Sequence, residues 1–189
     1  IVLPEVSALQ DTVDEHRRHK DVYEHTLTVL QQAMDLETGP DGDVPGPDLR
    51  LRLAALLHDI GKPATRRFMP DGTVTFHAHD YVGARMTAKR MRALHFDKQT
   101  IKDVSRLVEL HLRFHGYADS PWSDSAVRRY VTDAGPLLAR LGCLTRADVT
   151  TGNRRKAAML SHAYDDLERR IEALRQQEEL ASIRPELDG

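Results

Sequence analysis

Apolar positions along the chain recur mostly at helical spacing, with short polar breaks between the runs. Over residues 21–37, Val22, Leu27, Val29, Leu30, Ala33, Met34 and Leu36 form one stripe, with Asp21 placed as its N-cap. His25 lies three residues after Val22 and four before Val29, so it shares the buried face. Thr38 to Pro47 holds three Gly and three Pro and reads as a loop. From Asp48 to Asp59 the leucines and alanines point nearly all round, the mark of a central helix, with Gly61 as its stop and Pro63 preventing continuation. Asp71-Gly72 between short β-prone runs predicts a small hairpin or extended loop. Helices return over about 79–94 and 98–114, and from Ser123 or Asp124 to about Thr132. Another starts at Gly135-Pro136 and ends near Asp148. Asn153 then caps a long helix to about Ser182, whose apolar seam of Leu160, Ala163, Leu167, Ile171 and Leu174 suits one neighbouring helix or a homodimer partner. The fold class is all-α, a helical bundle with one small hairpin and a long C-terminal helix.

Composition narrows the class. The chain has 189 residues, 40% hydrophobic and 30% charged, with a net charge of −2, which argues against coating nucleic acid by bulk charge. A single cysteine, Cys143, excludes a disulfide framework or a thiolate metal site and fits a reducing compartment. No apolar run approaches the roughly 20 residues of a membrane span. The start, Ile1-Val2-Leu3-Pro4, has neither an initiator Met nor a signal-peptide layout, so the chain reads as a piece of something longer. Aromatic residues make up 5%, too few to suggest a base-stacking platform.

Ten histidines set the candidate chemistry. His16 and His19 stand among charged neighbours and read as solvated, and His77 as pointing away from His79. His58-Asp59 stands where the apolar helix runs out. Adjacent residues on a regular helix diverge by about 100°, so this pair converges on one ion only if the helix ends or distorts there. With His25 and Asp148 it supplies two imidazoles and two carboxylates from three helices, a donor set for a divalent ion that would activate water and polarise a phosphoryl oxygen. Each member also has a plainer reading: a half-buried structural histidine for His25, a helix-end polar cluster for the doublet, a salt bridge to Arg146 for Asp148. The combination favours the metal site.

The order His25, His58-Asp59, Asp148 resembles that of the HD superfamily of helical, metal-dependent phosphohydrolases. Leu3-Pro4-Glu5, Val22-Tyr23-Glu24-His25-Thr26, Ala54 to Pro63, Phe76-His77-Ala78-His79-Asp80 with Gly83-Ala84, and Arg146-Ala147-Asp148 more narrowly resemble the C-terminal half of bacterial, actinobacterial-like CCA-adding tRNA nucleotidyltransferases. The resemblance implies an HD domain over 1–152, followed over 153–189 by the long helix and the start of a tRNA-binding tail. The N-terminal nucleotidyltransferase head would be absent. His79 and His111 match the family as well, which implies room for a second ion bridged by Asp59, with His115 one turn later as a supporting group. The cofactor would be one or two divalent ions among Mg, Mn, Ni, Co, Fe or Zn. His58, Asp59 and Lys62 would carry hydrolysis of phosphomonoesters or 2′,3′-cyclic phosphates. The partners would be tRNA or RNA 3′ ends in the cytoplasm.

Several cations remain open between two readings. Lys62 would meet a substrate phosphate or pair with Asp59, and Arg66 and Arg67 would widen that anion site. Arg154, Arg155 and Lys156 oppose the macrodipole of the long helix. They would bind phosphate with its free amides, or stand solvated. The two further readings are a non-catalytic tRNA-holding scaffold and a stand-alone HD nucleotide phosphohydrolase.

Overall fold

The structure, a computed structural model, describes residues 2–12, 21–120, 122–151 and 153–182. His16, His19 and the tail from Ile183 to Gly189 lie outside the described residues. The chain forms two compact units, residues 1–112 with 136–150 and residues 113–135 with 151–189.

In the first unit the elements are α1 (Pro4–Ser7), a 3-10 turn, α2 (Val22–Asp35), α3 (Leu49–Leu57), α4 (Lys62–Thr65), strands β1 (Arg67–Phe68) and β2 (Val74–Thr75), α5 (His79–Ala93), α6 (Lys98–Leu110) and α9 (Leu138–Ala147). The all-α expectation holds, and the Asp71-Gly72 hairpin is present as one antiparallel pair, Arg67 opposite Thr75 and Phe68 opposite Val74. The central helix is α3, which packs on α2, α6 and α9, while α5 packs on α6. Leu51, Leu57, Ile60, Leu107, Leu141 and Leu144 are fully buried between them. Each such leucine stabilises the fold by about 2 kcal/mol relative to an exposed one.

Caps fix where these helices begin. Asp21 accepts from the Tyr23 amide, Asp48 from Leu51 at 2.8 Å and Asp97 from Thr100 at 2.9 Å. Asp48 is itself buried and takes a two-pronged contact from Arg140 on α9, with Nη2 at 2.8 Å and Nε at 3.0 Å from Oδ2. Burial would raise its pKa; the Arg140 guanidinium and the Leu51 amide outweigh that and hold the carboxyl below its ordinary value. A carboxyl with a lowered native pKa contributes stability in full above the unfolded value of about 4, and that contribution is lost as pH falls through the native one. Asp48→Ala is therefore expected to destabilise the chain by about 2–4 kcal/mol at neutral pH, through a lost cap and an orphaned Arg140. The difference from the parent should shrink in acid. Urea unfolding at pH 7 and pH 3 checks both.

Two sequence expectations shift. The helix expected over 98–114 stops at Leu110; a turn over 111–114 follows, and a new short helix starts at His115. Gly61 is not a left-handed stop: α3 ends earlier, at Leu57, and Gly61 has helical dihedrals (φ −75°, ψ −19°). Its lack of a side chain serves a close approach instead. A Cβ there would lie 2.1 Å from the His79 carbonyl oxygen and 2.7 Å from the Gly83 amide nitrogen. Pro63 sits in the first turn of α4 and opens that helix.

The second unit holds α7 (His115–Asp119), α8 (Asp124–Ala134) and α10 (Arg154–Ser182). Ser123 caps α8 and Asn153 caps α10. The α10 seam packs on α7 and α8, and of its members Leu167, Ile171 and Leu174 are buried while Leu160 and Ala163 are partly covered. Tyr164 is also buried and meets Phe114 edge-on at 5.1 Å. No helix among the described residues is long and apolar enough to cross a membrane.

Candidate metal centre

His25 comes from the first turn of α2, while His58 and His111 stand at the C-caps of α3 and α6. His79 opens α5, and Asp148 is the C-cap of α9. The early end of α3 allows His58 and Asp59 to converge: His58 is the C-cap, and a turn runs from there to Gly61. His58, Asp59, His79 and His111 are buried.

Three of the imidazoles are held by the same device. The Nδ1–H of His58 donates to Ala55 O at 2.7 Å, that of His79 to Phe76 O at 2.8 Å, and that of His111 to Val108 O at 2.6 Å. Each carbonyl lies three residues back, and at α3 and α6 it belongs to the last turn, whose carbonyls lack intrahelical amides. The bond fixes the tautomer and leaves the Nε2 lone pair facing inward. At His25 the Nδ1 lies 2.9 Å from Thr150 Oγ1, a hydroxyl that can accept a hydrogen bond from it as those carbonyls do. Ala78, directly before His79, has φ 60°, a left-handed conformation that costs a non-glycine residue about 1 kcal/mol. That strain sits beside a candidate ligand.

The inward atoms meet acceptors. His25 Nε2 is 3.0 Å from Asp148 Oδ1 and 3.6 Å from Asp59 Oδ2. His58 Nε2 is 3.3 Å from Asp59 Oδ2, 3.6 Å from Asp148 Oδ1 and 3.4 Å from His25 Nε2. His79 Nε2 stands 3.3 Å from Asp59 Oδ1, and His111 Nε2 is buried with no hydrogen-bond partner among the described residues. Lone pairs facing carboxylates at these distances repel unless a proton or a metal cation lies between them. The donors fall into two groups whose ligand atoms lie within 4.8 Å of one another: His25, His58 and Asp148, and Asp59, His79 and His111. Asp59 faces both, Oδ2 towards the first and Oδ1 towards the second. The residues fit a divalent-metal site by orphaned nitrogen, fixed tautomer and donor chemistry.

Electrostatics agree. Burial would lower the His58 pKa, but Asp59 and Asp148 outweigh it and raise the group to about 9, so a proton occupies the place a cation would take. Burial, together with the His58 charge, pushes His111 down to about 4 and keeps it neutral at pH 7. Burial works against ionised Asp59 and Asp148. His58 and Lys62 beside Asp59, and His25 and His58 beside Asp148, nevertheless hold both carboxyls below the usual range.

Among the other sequence candidates, Lys62 pairs with Asp59 Oδ2 at 2.9 Å and lies over the Phe76 ring. Arg66 and Arg67 are exposed where the hairpin begins, and His77 is exposed. His115 is exposed at the start of α7 and belongs to neither donor group. Arg154, Arg155 and Lys156 are exposed in the first turn of α10, with the Arg155 and Lys156 amides already bonded to Asn153 Oδ1. Thr150 and Phe76 were not singled out from sequence. Thr150 sits 125 residues from its partner His25, and Phe76 acts through a backbone carbonyl that any residue carries.

The HD domain family profile matches residues 22–153, which include all six donors. The chain is 35% identical over 149 residues to the A-adding tRNA nucleotidyltransferase of Deinococcus radiodurans, covering 78% of this chain and 32% of that protein. It is 32% identical over 170 residues to the CC-adding tRNA nucleotidyltransferase of Thermus thermophilus, covering 88% of this chain and 36% of that one. It is 35% identical over 120 residues to the Multifunctional CCA protein of Neisseria meningitidis, covering 61% and 24%. The chain thus spans about a third or less of the length of these curated relatives. Family match and donor geometry agree: the chain belongs to the HD domain family.

Proposed function

We propose that this chain is the metal-dependent phosphohydrolase part of a tRNA nucleotidyltransferase, cleaving phosphomonoesters or 2′,3′-cyclic phosphates at RNA 3′ ends in the cytoplasm. The observation that carries the chemistry is the inward Nε2 set, four imidazoles facing the two carboxylates. The tRNA context rests on the relatives, of which this chain matches about a third, and the nucleotide-adding head is read as lying outside it.

His25, His58, Asp59 and Asp148 would hold one ion, and His79, His111 and Asp59 a second. Bound there, divalent ions would polarise a phosphoryl oxygen and supply hydroxide at neutral pH. The chain's own residues set the stage for this. The Ala55, Phe76 and Val108 carbonyls keep three rings aimed, so little reorganisation is needed at the moment of reaction. One divalent ion balances the two carboxylates, and Lys62 then leaves the site cationic, which suits an anionic phosphate ester. Arg66 and Arg67, and the side chains of Arg154, Arg155 and Lys156, are read as contacts to RNA phosphates.

The test is reconstitution. The purified, metal-stripped chain should hydrolyse bis-p-nitrophenyl phosphate and a 2′,3′-cyclic nucleotide after addition of Mn²⁺, Ni²⁺, Co²⁺ or Mg²⁺, and lose activity again with chelator. Inertness with every ion would end the phosphohydrolase reading and leave the fragment as an RNA-holding scaffold.

A further inference from the structure

The four imidazoles of the metal centre are not held alike. His58, His79 and His111 lean on backbone carbonyls, which any residue at those positions would supply. His58 and His111 find them at helix ends, where the last carbonyls are spare. His25 cannot use that device. It stands in the first turn of α2, where carbonyls are taken up by amides four residues on, as that of Asp21 is by the His25 amide at 3.1 Å. Its Nδ1 meets a side chain instead, Thr150 Oγ1 at 2.9 Å.

Thr150 lies two residues beyond Asp148, the C-cap of α9. One short segment thus touches both nitrogens of the ring, Asp148 Oδ1 at 3.0 Å from Nε2 and Thr150 Oγ1 at 2.9 Å from Nδ1. The segment is tied back to α9 by the Asp148 amide on Leu144 O at 3.0 Å and the Val149 amide on Arg146 O at 3.3 Å. The His25 side chain is 19% exposed, against 1% for His58 and 9% for His79. Neighbours fix a buried ring, whereas a more exposed one keeps rotamer freedom that an ion must remove unless a hydrogen bond has already done so.

We propose that Thr150 is a positioning residue of the metal centre: its hydroxyl accepts from His25 Nδ1 and keeps Nε2 aimed at the ion shared with His58, Asp59 and Asp148. The inference rests on the metal centre of the proposed function and not on the reaction assigned to it. An ion at Nε2 leaves the ring proton on Nδ1, which then needs an acceptor, and a hydroxyl is one. Thr150 is the one such acceptor among the four rings that a side-chain substitution can remove.

The experiment is calorimetric titration of Mn²⁺ into the metal-stripped chain, for the parent, Thr150→Val and Thr150→Ser. Valine keeps the branched shape and removes the acceptor; serine keeps the acceptor and removes the methyl group. Thr150→Val should bind the ion held by His25 about 10- to 100-fold more weakly, and Thr150→Ser should bind it much as the parent does. Thr150 is only partly buried, so both variants should unfold at nearly the parent urea midpoint. Proton spectra of the Zn²⁺-loaded chain provide a second readout. The His25 Nδ1 proton should exchange slowly in the parent and in Thr150→Ser, and rapidly in Thr150→Val. Unchanged Mn²⁺ affinity in the valine variant, equal losses in both variants, or a rapidly exchanging proton in the parent overturns the proposal. Ion binding as expected with no hydrolysis of any phosphate ester overturns the phosphohydrolase reading alone, and a parent chain that binds no Mn²⁺ overturns both.

Discussion

Asp59→Asn is expected to reduce phosphodiester hydrolysis by a factor on the order of 10³ or more while leaving a folded chain. The substitution keeps the shape of the side chain and removes its charge. Asp59 is the one donor that faces both groups, with His58 and Lys62 at Oδ2 and His79 at Oδ1. An amide offers one carbonyl oxygen where two carboxylate oxygens stood, and an NH₂ that would confront either an ion or a lysine. Loss of the counter-charge also removes the ion pair that Lys62, only 12% exposed, makes with Asp59, so the metal-free variant should be less stable than the parent as well. Steady-state turnover across added Mn²⁺ concentrations, with circular dichroism to confirm the fold, checks both parts. Turnover within tenfold of the parent at saturating metal would show that Asp59 is not at the centre of the chemistry.

Gly61→Ala should produce the largest effect on folding from a single methyl group, a loss of about 3 kcal/mol or more, at the upper end of overpacking. In a helical conformation away from neighbours the same change would stabilise by about 0.5–1 kcal/mol, so the sign itself is diagnostic. Here the added Cβ would meet the His79 carbonyl oxygen at 2.1 Å and the Gly83 amide nitrogen at 2.7 Å. These are backbone atoms of α5, and they cannot step aside as a flexible side chain would. Gly39, with nothing within 4 Å of its ideal Cβ, provides the matched control, and Gly39→Ala should change stability by no more than about 0.5 kcal/mol. Urea midpoints for the two variants separate a steric requirement at Gly61 from a general intolerance of alanine for glycine.

What could be read from the sequence divides along physical lines. Helix positions followed from apolar spacing and caps, because both are local: Asp21 and Asn153 cap where their residue type and position suggested, and of Ser123 and Asp124 it is Ser123 that caps α8. The doublet needed a helix end to converge, and α3 does end there. The break after Leu110 was not legible, since the apolar stripe runs on through Leu112 and Phe114 and only the bond of the His111 ring back to Val108 marks the turn. The aim of each imidazole was equally hidden, because it depends on backbone carbonyls that carry no sequence signal. The role of Gly61 was misread for a related reason: local rules treat glycine as a conformational device, whereas here a second segment, near in space but remote in sequence, requires the missing Cβ. Lys62 was open between substrate and partner, and the 2.9 Å contact to Asp59 gives it a partner within the chain.

The most direct test is to count and place the metal. Crystals of the chain grown with Mn²⁺ should show two anomalous peaks, one among His25, His58, Asp59 and Asp148 and the other among Asp59, His79 and His111. A single peak confined to the first group would contradict the paired site, and no peak at these side chains, or one held elsewhere on the chain, would contradict the metal centre itself.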